Sequence, residues 1–550
     1  MNNQIDATIT GIYLGGFQVF DEVNFIPLRR LTFFYGPNSS GKSAVEDALQ
    51  LIQKEFFWGY YLTSYRESFL ISYNEEKYLN ENWRRVSEES DSYAPECTLG
   101  FQFISNGHLI KSLEVCGLET LDRHPSKFAN YALKKYEAEV AHIDQVLIDY
   151  SAKYQRINLK ENCVTSKGRR ERCAFQRVLS MSVNGTLIAE SKSNEYVQLN
   201  FKHPVLLYFE PIVDFSAISI KYPNIFQYEN GMVRISDSLA EKVFVNSSLD
   251  SALSSIYKNH FDDHTYSVFD ALKPYLLPDD LKEAIIEFAY FFNQLHNNIW
   301  GDTSFAIHDK VDASRKIPSE ESLCFVKVEE KFENTCNDFS IVNKGDPIYE
   351  QLAWDQKFRD RVNYMFTDHL FIDRGYFVAD EILDIQFKKN KIASIIRLYL
   401  QDNEKRRFSF NDVGSGIGYV LPVLCKLALD DHEGISFAVI QQPELHLHPA
   451  LQSSLGDIFI ERTCDKQIIV ETHSEHILLR VLKRVRQTKS NSILDVNLQI
   501  DPNEIAIVYF DPSPSGITNV KFIRISEDGE FLDRWPHGFF AERDQDLFDE

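Results

Sequence analysis

The stretch LTFFYGPNSSGKSAVEDALQLIQ, residues 31–53, constrains this chain more than any other. An apolar, aromatic run from Leu31 to Tyr35 predicts a buried strand. Val45, Ala48, Leu49 and Ile52 then recur on one face of a predicted helix. Between them Gly36, Gly41, Lys42 and Ser43 fit the G-x-x-x-x-G-K-[ST] spacing. In such a turn the glycines let backbone N–H groups wrap phosphate oxygens, and the helix N-terminus faces the negative charge. Gly36, Pro37, Asn38, Ser39, Ser40, Gly41, Lys42 and Ser43 are therefore the candidate triphosphate cradle. Lys42 reaches for the terminal phosphates, and the Ser43 hydroxyl is a candidate Mg²⁺ ligand. A chance turn before a helix is the plain alternative, and the strand, loop and helix context argues against it. ATP and Mg²⁺ are the expected cofactors.

Upstream, ITGIYLGGFQVFDEVNFIPLRR alternates apolar and polar residues, with turn signals at Gly15-Gly16 and Asp21-Glu22. This predicts short antiparallel strands introducing the loop. Three further elements lie far downstream. NDVGSGIGYVLPVLCKLAL places Gly414, Ser415, Gly416 and Gly418 in a turn that opens a helix, FAVIQQPELHLHP runs from an apolar strand into a polar turn, and QIIVETHSEH is a second apolar strand ending at Thr472-His473. His446 and His448 stand two residues apart, but no Cys or His partners lie at zinc-like distances, so an interface loop is preferred to a metal site.

Taken in that order, these stretches resemble the head of an ABC-type ATPase in the divergent form of the SMC, RecF and OLD-like branch. GPNSSGKS, DVGSGIGYVLPVL, QPELHLHPALQ and the C-terminal WPHGFF together resemble AAA15/AAA21-type ATPases with a DUF3696-like tail. Within that group they resemble the PtuA ATPases of Septu anti-phage systems, including retron-associated ones. The resemblance implies heads that pair face to face, so that Ser415 and Gly416 complete the neighbour's nucleotide site and His473 senses the γ-phosphate. It also implies a separate HNH nuclease subunit of PtuB type. In retron-linked versions a reverse transcriptase and its msDNA are further partners. A DNA-repair ATPase of RecF or SMC type is the alternative reading.

The resemblance also exposes a departure. Gln441 stands where such heads carry an acid that holds Mg²⁺ through water, and Gln442 where they carry the glutamate that activates the attacking water. An amide oxygen can orient water or sit near Mg²⁺, but it supplies no anionic field and accepts no proton at neutral pH. Hydrolysis is expected to be slow, with ATP acting chiefly as a clamp. Glu444 and Glu471 are the carboxylates best placed by sequence to compensate.

The expected fold is α/β, an ABC-type head with an N-terminal antiparallel sheet, split by an insertion. Residues 1–120 are assigned to the N-terminal lobe, 121–369 to a largely helical insertion with some head strands, and 370–550 to the C-terminal lobe. Helical spacing is read in KFANYALKKYEAEVAHIDQVLIDYSAKYQRINLK and in DDLKEAIIEFAYFFNQLHNNIW. A chain of 550 residues is long enough for more than one core. Its formal charge of -23 disfavours a surface uniformly attracted to nucleic acid, so contact would need a local patch. Lys167, Arg169, Arg170 and Arg172 form one candidate; Arg480, Lys483, Arg484, Arg486 and Lys489 form another. Scattered cysteines, no signal-peptide pattern and no span-length apolar run point to the cytoplasm. IAIVYFDPSPSGITNVKFIRISEDGEF reads as closing strands of the head, since the neighbourhood of Asp511 lacks the D-x-D pair a nuclease in cis would need.

Overall fold

The computed structural model describes residues 7–57, 96–105, 146–157, 174–192, 196–202, 213–236, 278–281, 284–285, 288, 305–312, 314–319, 323–328, 347–387, 390–410, 412–429 and 435–536. Two large sheets organise them. The first runs in the order β2 (Asn24–Pro27), β1 (Ala7–Gly15), β4 (Glu96–Ser105), β5 (Val146–Ile157), β6 (Ala174–Val183), β7 (Thr186–Lys192), β8 (Tyr196–Asn200), β10 (Met232–Ser236) and β9 (Phe226–Glu229). Every pairing in it is antiparallel.

The second sheet runs β11 (Phe305–Val311), β16 (Ile435–Gln441), β17 (Gln467–Glu471), β3 (Leu31–Tyr35), β18 (Ile505–Pro512) and β19 (Thr518–Phe522). Its first five strands are parallel, and β19 returns antiparallel as a closing hairpin. Parallel strands covered on both faces read as continuous apolar runs, and β3 and β17 are buried at every residue. Alternation sorts their side chains between two cores. Phe34, Val439, Ile469 and Phe510 face the helix Lys42–Phe57 and the antiparallel sheet, while Phe33, Ile440, Val470 and Tyr509 face the helices Ser415–Ala428, Pro449–Arg462 and Glu475–Lys489. A third, smaller sheet pairs β12 (Cys324–Val328), β14 (Asn390–Gln401) and β13 (Phe377–Phe387), with β15 (Arg407–Phe408) beside β14.

The α/β architecture and the antiparallel entry strands agree with the sequence reading. The insertion differs. Among the described residues of 121–369, strand outweighs helix, and 146–157, expected to be helical, is β5. Its Tyr, Val and Ile content suits a pleated surface, and β4 and β6 supply hydrogen-bonding partners along its whole length. Local spacing lost to the ladder. Residues 127–145 of the same stretch lie outside the described residues. The second expected helix is helical where described, and Leu281, Ala284, Ile285 and Phe288 are buried in the core beneath the antiparallel sheet. It packs internally there.

One buried side chain joins the two large sheets. Gln467, at the start of β17, donates from Nε2 to the Ile9 and Arg29 carbonyls at 2.9 and 3.2 Å, and its Oε1 accepts from the Ile9 N–H at 2.8 Å.

Candidate functional site: a phosphate loop at the parallel sheet's edge

All the parallel strands point their C-terminal ends the same way, so the residues that follow them gather along one edge, where open α/β sheets place their ligands. From β3 comes the loop 36–41, from β17 comes Glu471-Thr472-His473, and from β16 comes Gln441-Gln442. The register pairs Gln441 with Glu471 and Glu471 with Phe34. Residues more than 400 positions apart in sequence, such as Phe34 and Glu471, thus become neighbours.

The loop has the backbone its glycines predict. Gly36 and Gly41 take φ of +142° and +97°, a region that L side chains rarely adopt. A Cβ on Gly36 would lie 2.5 Å from the Phe510 carbonyl oxygen, and one on Gly41 would lie 2.4 Å from Val19 Cγ2. Thr518 Oγ1 donates to the Ser40 carbonyl at 2.7 Å and ties the loop to the closing hairpin. Lys42 folds back over its own loop, donating from Nζ to the Gly36 and Pro37 carbonyls at 3.0 and 2.8 Å, and faces Glu471 Oε1 at 3.7 Å. Burial pushes this ammonium below its ordinary value, with the Glu471 carboxylate opposing that shift. The Ser40 hydroxyl is buried without a hydrogen-bond partner, while Pro37, Asn38, Ser39 and Ser43 are exposed. A left-handed backbone with no room for side chains, a tethered ammonium and an exposed helix-start hydroxyl fit a magnesium–triphosphate: Gly36 to Gly41 would wrap its oxygens, Lys42 would neutralise them and Ser43 would ligate the cation.

Beside the loop, the strand-end amides are held firmly. Gln441 is buried and donates from Nε2 to Glu46 Oε2 at 2.7 Å. Gln442 takes φ of +45°, and its N–H donates to the Glu471 carbonyl at 2.7 Å. Glu444 Oε1 accepts from the His473 N–H at 2.8 Å, while its buried Oε2 has no hydrogen-bond partner. Burial raises the Glu444 carboxyl above its ordinary value despite that bond. Burial, and then the charge of Lys42, lower the His473 imidazole below its ordinary value. Its ring is exposed at the edge.

Sequence reasoning missed two members. Glu46 lies one turn beyond Lys42 on the helix, and its signal was an acid interrupting an otherwise apolar inward face. Arg315 gave no signal at all. Its guanidinium donates to the Gln441, Gln442 and Tyr419 carbonyls at 2.9, 2.8 and 2.8 Å, fastening the strand end to the Ser415–Ala428 helix.

Ser415 and Gly416 are placed elsewhere. Their helix packs on the face of the parallel sheet opposite the Lys42–Phe57 helix, and a Cβ on Gly416 would lie 2.5 Å from the His446 carbonyl oxygen. Among the described residues no hydrogen bond or ion pair links Ser415 or Gly416 to residues 36–43. His448 caps the Pro449–Arg462 helix, accepting from the Ala450 N–H at 3.3 Å, and no group of three or more potential metal ligands occurs among the described residues.

The basic candidates fare unequally. Lys167, Arg169, Arg170 and Arg172 lie outside the described residues. On the Glu475–Lys489 helix, Arg480 and Arg484 are both bonded to Asp457, and Lys489 pairs with Asp528. Those charges are largely committed to internal partners. At the C-terminus Trp535 stands edge-on to Tyr35 at 5.3 Å, covering the strand that carries the loop.

Across residues 8–478 the sequence matches the AAA ATPase domain family. The chain belongs to this family. No curated protein matches it significantly. Solved structures that align with this AAA ATPase include the SMC head domain from Thermotoga maritima, at 9% identity over 94% of this chain and 99% of that one, with a TM-score of 0.34. Another is the Smc head domain with an extended coiled coil bound to the C-terminal domain of ScpA, derived from Pyrococcus furiosus, at 11% identity over 94% and 96%, also with a TM-score of 0.34. Neither likeness bears on residue roles. No helix among the described residues is long and apolar enough to cross a membrane.

Proposed function

We propose that this ATPase binds Mg-ATP at Gly36–Ser43 and uses it chiefly as a clamp between two copies, with hydrolysis slowed by the amides of Gln441 and Gln442. The observation that carries this reading is the end of β16, where Gln441 and Gln442 are amides rather than acids, Gln441 bonded to Glu46 of the helix that follows the loop and Gln442 to the Glu471 carbonyl. When bound, Mg²⁺ neutralises charge on the phosphate oxygens. Gln442 orients water without accepting its proton, and the loss of a positioned base removes about 10²- to 10⁴-fold in rate. Residual turnover falls to Glu444, whose raised carboxyl lies nearer neutral pH and whose Oε2 is uncommitted.

The exposed Ser415 on the far face of the sheet supports pairing, because a turn remote from its own loop is available to a neighbour's. From the family resemblance we further propose that the clamp regulates a separate HNH nuclease in bacterial anti-phage defence. Turnover by purified protein tests the core of this reading. Gln442→Glu should raise the rate at least tenfold and Glu444→Gln should abolish what the wild type retains; fast wild-type turnover insensitive to Glu444→Gln would overturn it. Co-purification with tagged ATPase tests the nuclease partner, and its failure at native expression would remove that part.

A further inference from the structure

Strand β11 runs parallel to β16, with Val311 opposite Ile440, so the segment that follows it leaves the sheet at the same edge as Gln441 and Gln442. Its Ile317 seats against the Ser415–Ala428 helix, where a Cβ on Gly418 would lie 2.5 Å from Ile317 Cγ2. Arg315 thereby stands between that helix and the strand end. Its guanidinium donates from Nε to the Tyr419 carbonyl at 2.8 Å, from Nη1 to the Gln441 and Asp312 carbonyls at 2.9 and 3.3 Å, and from Nη2 to the Gln442 carbonyl at 2.8 Å. Every hydrogen bond it makes among the described residues goes to a main-chain oxygen, and Glu444 acts on the cation through charge alone. One of the residues it holds is strained. Gln442 has φ of +45°, a left-handed conformation that persists in a non-glycine residue only where the surroundings over-determine it. They do so from both sides: the Gln442 N–H donates to the Glu471 carbonyl at 2.7 Å, and the Gln442 carbonyl accepts from Arg315.

We propose that Arg315 is a positioning residue for ATP hydrolysis: by locking the left-handed turn at Gln442 it keeps the Gln442 amide and the Glu444 carboxylate in their working places. By holding Tyr419 it also keeps the Ser415–Ala428 helix in step with that turn. This rests on the reading that residues 36–43 hold Mg-ATP and that Glu444 carries the residual turnover. A relaxed backbone at Gln442 would re-aim its own side chain and the one two residues on. Lysine cannot substitute, because a single ammonium on a flexible stem lacks the planar fork that reaches the Tyr419, Gln441 and Gln442 carbonyls together. Nucleotide binding itself does not depend on Arg315, which makes no hydrogen bond or ion pair with residues 36–43 among the described residues. The residue therefore acts on the rate and not on the affinity.

Single-turnover hydrolysis by the full-length chain, with ATP affinity measured separately by calorimetry, tests this in the wild type and in the faster Gln442→Glu background. Arg315→Lys keeps the charge and loses the fork. It should lower the rate about 10- to 100-fold in both backgrounds and leave ATP affinity within about twofold of its parent. An unchanged rate overturns the proposal. So does a loss of affinity that matches the loss of rate, because a general loosening of the site would weaken both together. Arg315→Met, which fills the space without stranding a charge, decides alone by the same split should Arg315→Lys fail to fold. Failure of the parent reading looks different: ATP binding that survives Lys42→Ala, or wild-type turnover indifferent to Glu444→Gln, would sink that reading whatever the Arg315 variants do.

Discussion

The two large sheets answer to opposite rules. In the antiparallel sheet most strands pair with a sequence neighbour, as in the run from β4 to β8, whereas every neighbour of β3 in the parallel sheet comes from more than 400 residues downstream. The first is largely a meander, with tight turns at Asn184-Gly185 and Asn230-Gly231. The second forms only when both ends of the chain meet, and that meeting is what brings Lys42, Gln441, Glu471 and His473 to one edge. Assembly of the site and closure of the fold are therefore the same event, and nucleotide that binds this edge stabilises the pairing of the termini.

The largest effect that separates the sheets is a core truncation in each. Phe34 and Phe101 are both buried, and replacing either by alanine should cost about 3–5 kcal/mol. Phe34→Ala should also lower ATP affinity, because β3 carries the loop; Phe101→Ala should leave affinity of the folded fraction within about twofold. Equal losses of affinity, measured by calorimetry, would dissolve the distinction. Next comes Lys42→Ala, which removes a buried ammonium from the edge and should weaken ATP binding about 100-fold, near 2.7 kcal/mol. Its melting temperature without nucleotide should fall modestly, since Glu471 and the loop carbonyls lose their ammonium partner.

A smaller effect comes from the link between sheets. Gln467→Leu strands the buried Ile9 N–H and carbonyl, at a cost of about 1–3 kcal/mol by denaturant titration, and should broaden the transition as the sheets melt less together. The smallest concerns Asp533, which accepts from Arg524 and is held at about 2, below its usual 3.8. A depressed carboxyl contributes above its ordinary value and loses that contribution as pH falls through about 2. At this exposed position Asp533→Asn should change stability at neutral pH by less than about 1 kcal/mol.

Legibility followed the same division. β3, β16 and β17 were readable because burial on both faces leaves unbroken apolar runs, and the loop was readable because its glycines and lysine are irreplaceable at their spacing. β5 was not, since its charged residues satisfy a helical pattern equally well and only β4 and β6 decide the matter. Glu46 left a faint trace as an acid in an apolar stripe. Arg315 left none, because four backbone carbonyls recognise it and carbonyls carry no sequence signal.

Two consequences of the proposed clamp can be read together: triphosphate at Lys42 holds two copies in one assembly, and it is broken slowly. Size-exclusion chromatography with light scattering, run after incubation with Mg-ATP and followed by nucleotide analysis of the protein peak, measures both halves at once. The expected result is a dimer or larger assembly carrying intact ATP, and a monomer from Lys42→Ala; a wild-type peak that stays monomeric, or that carries only ADP after a few minutes, rules the clamp out.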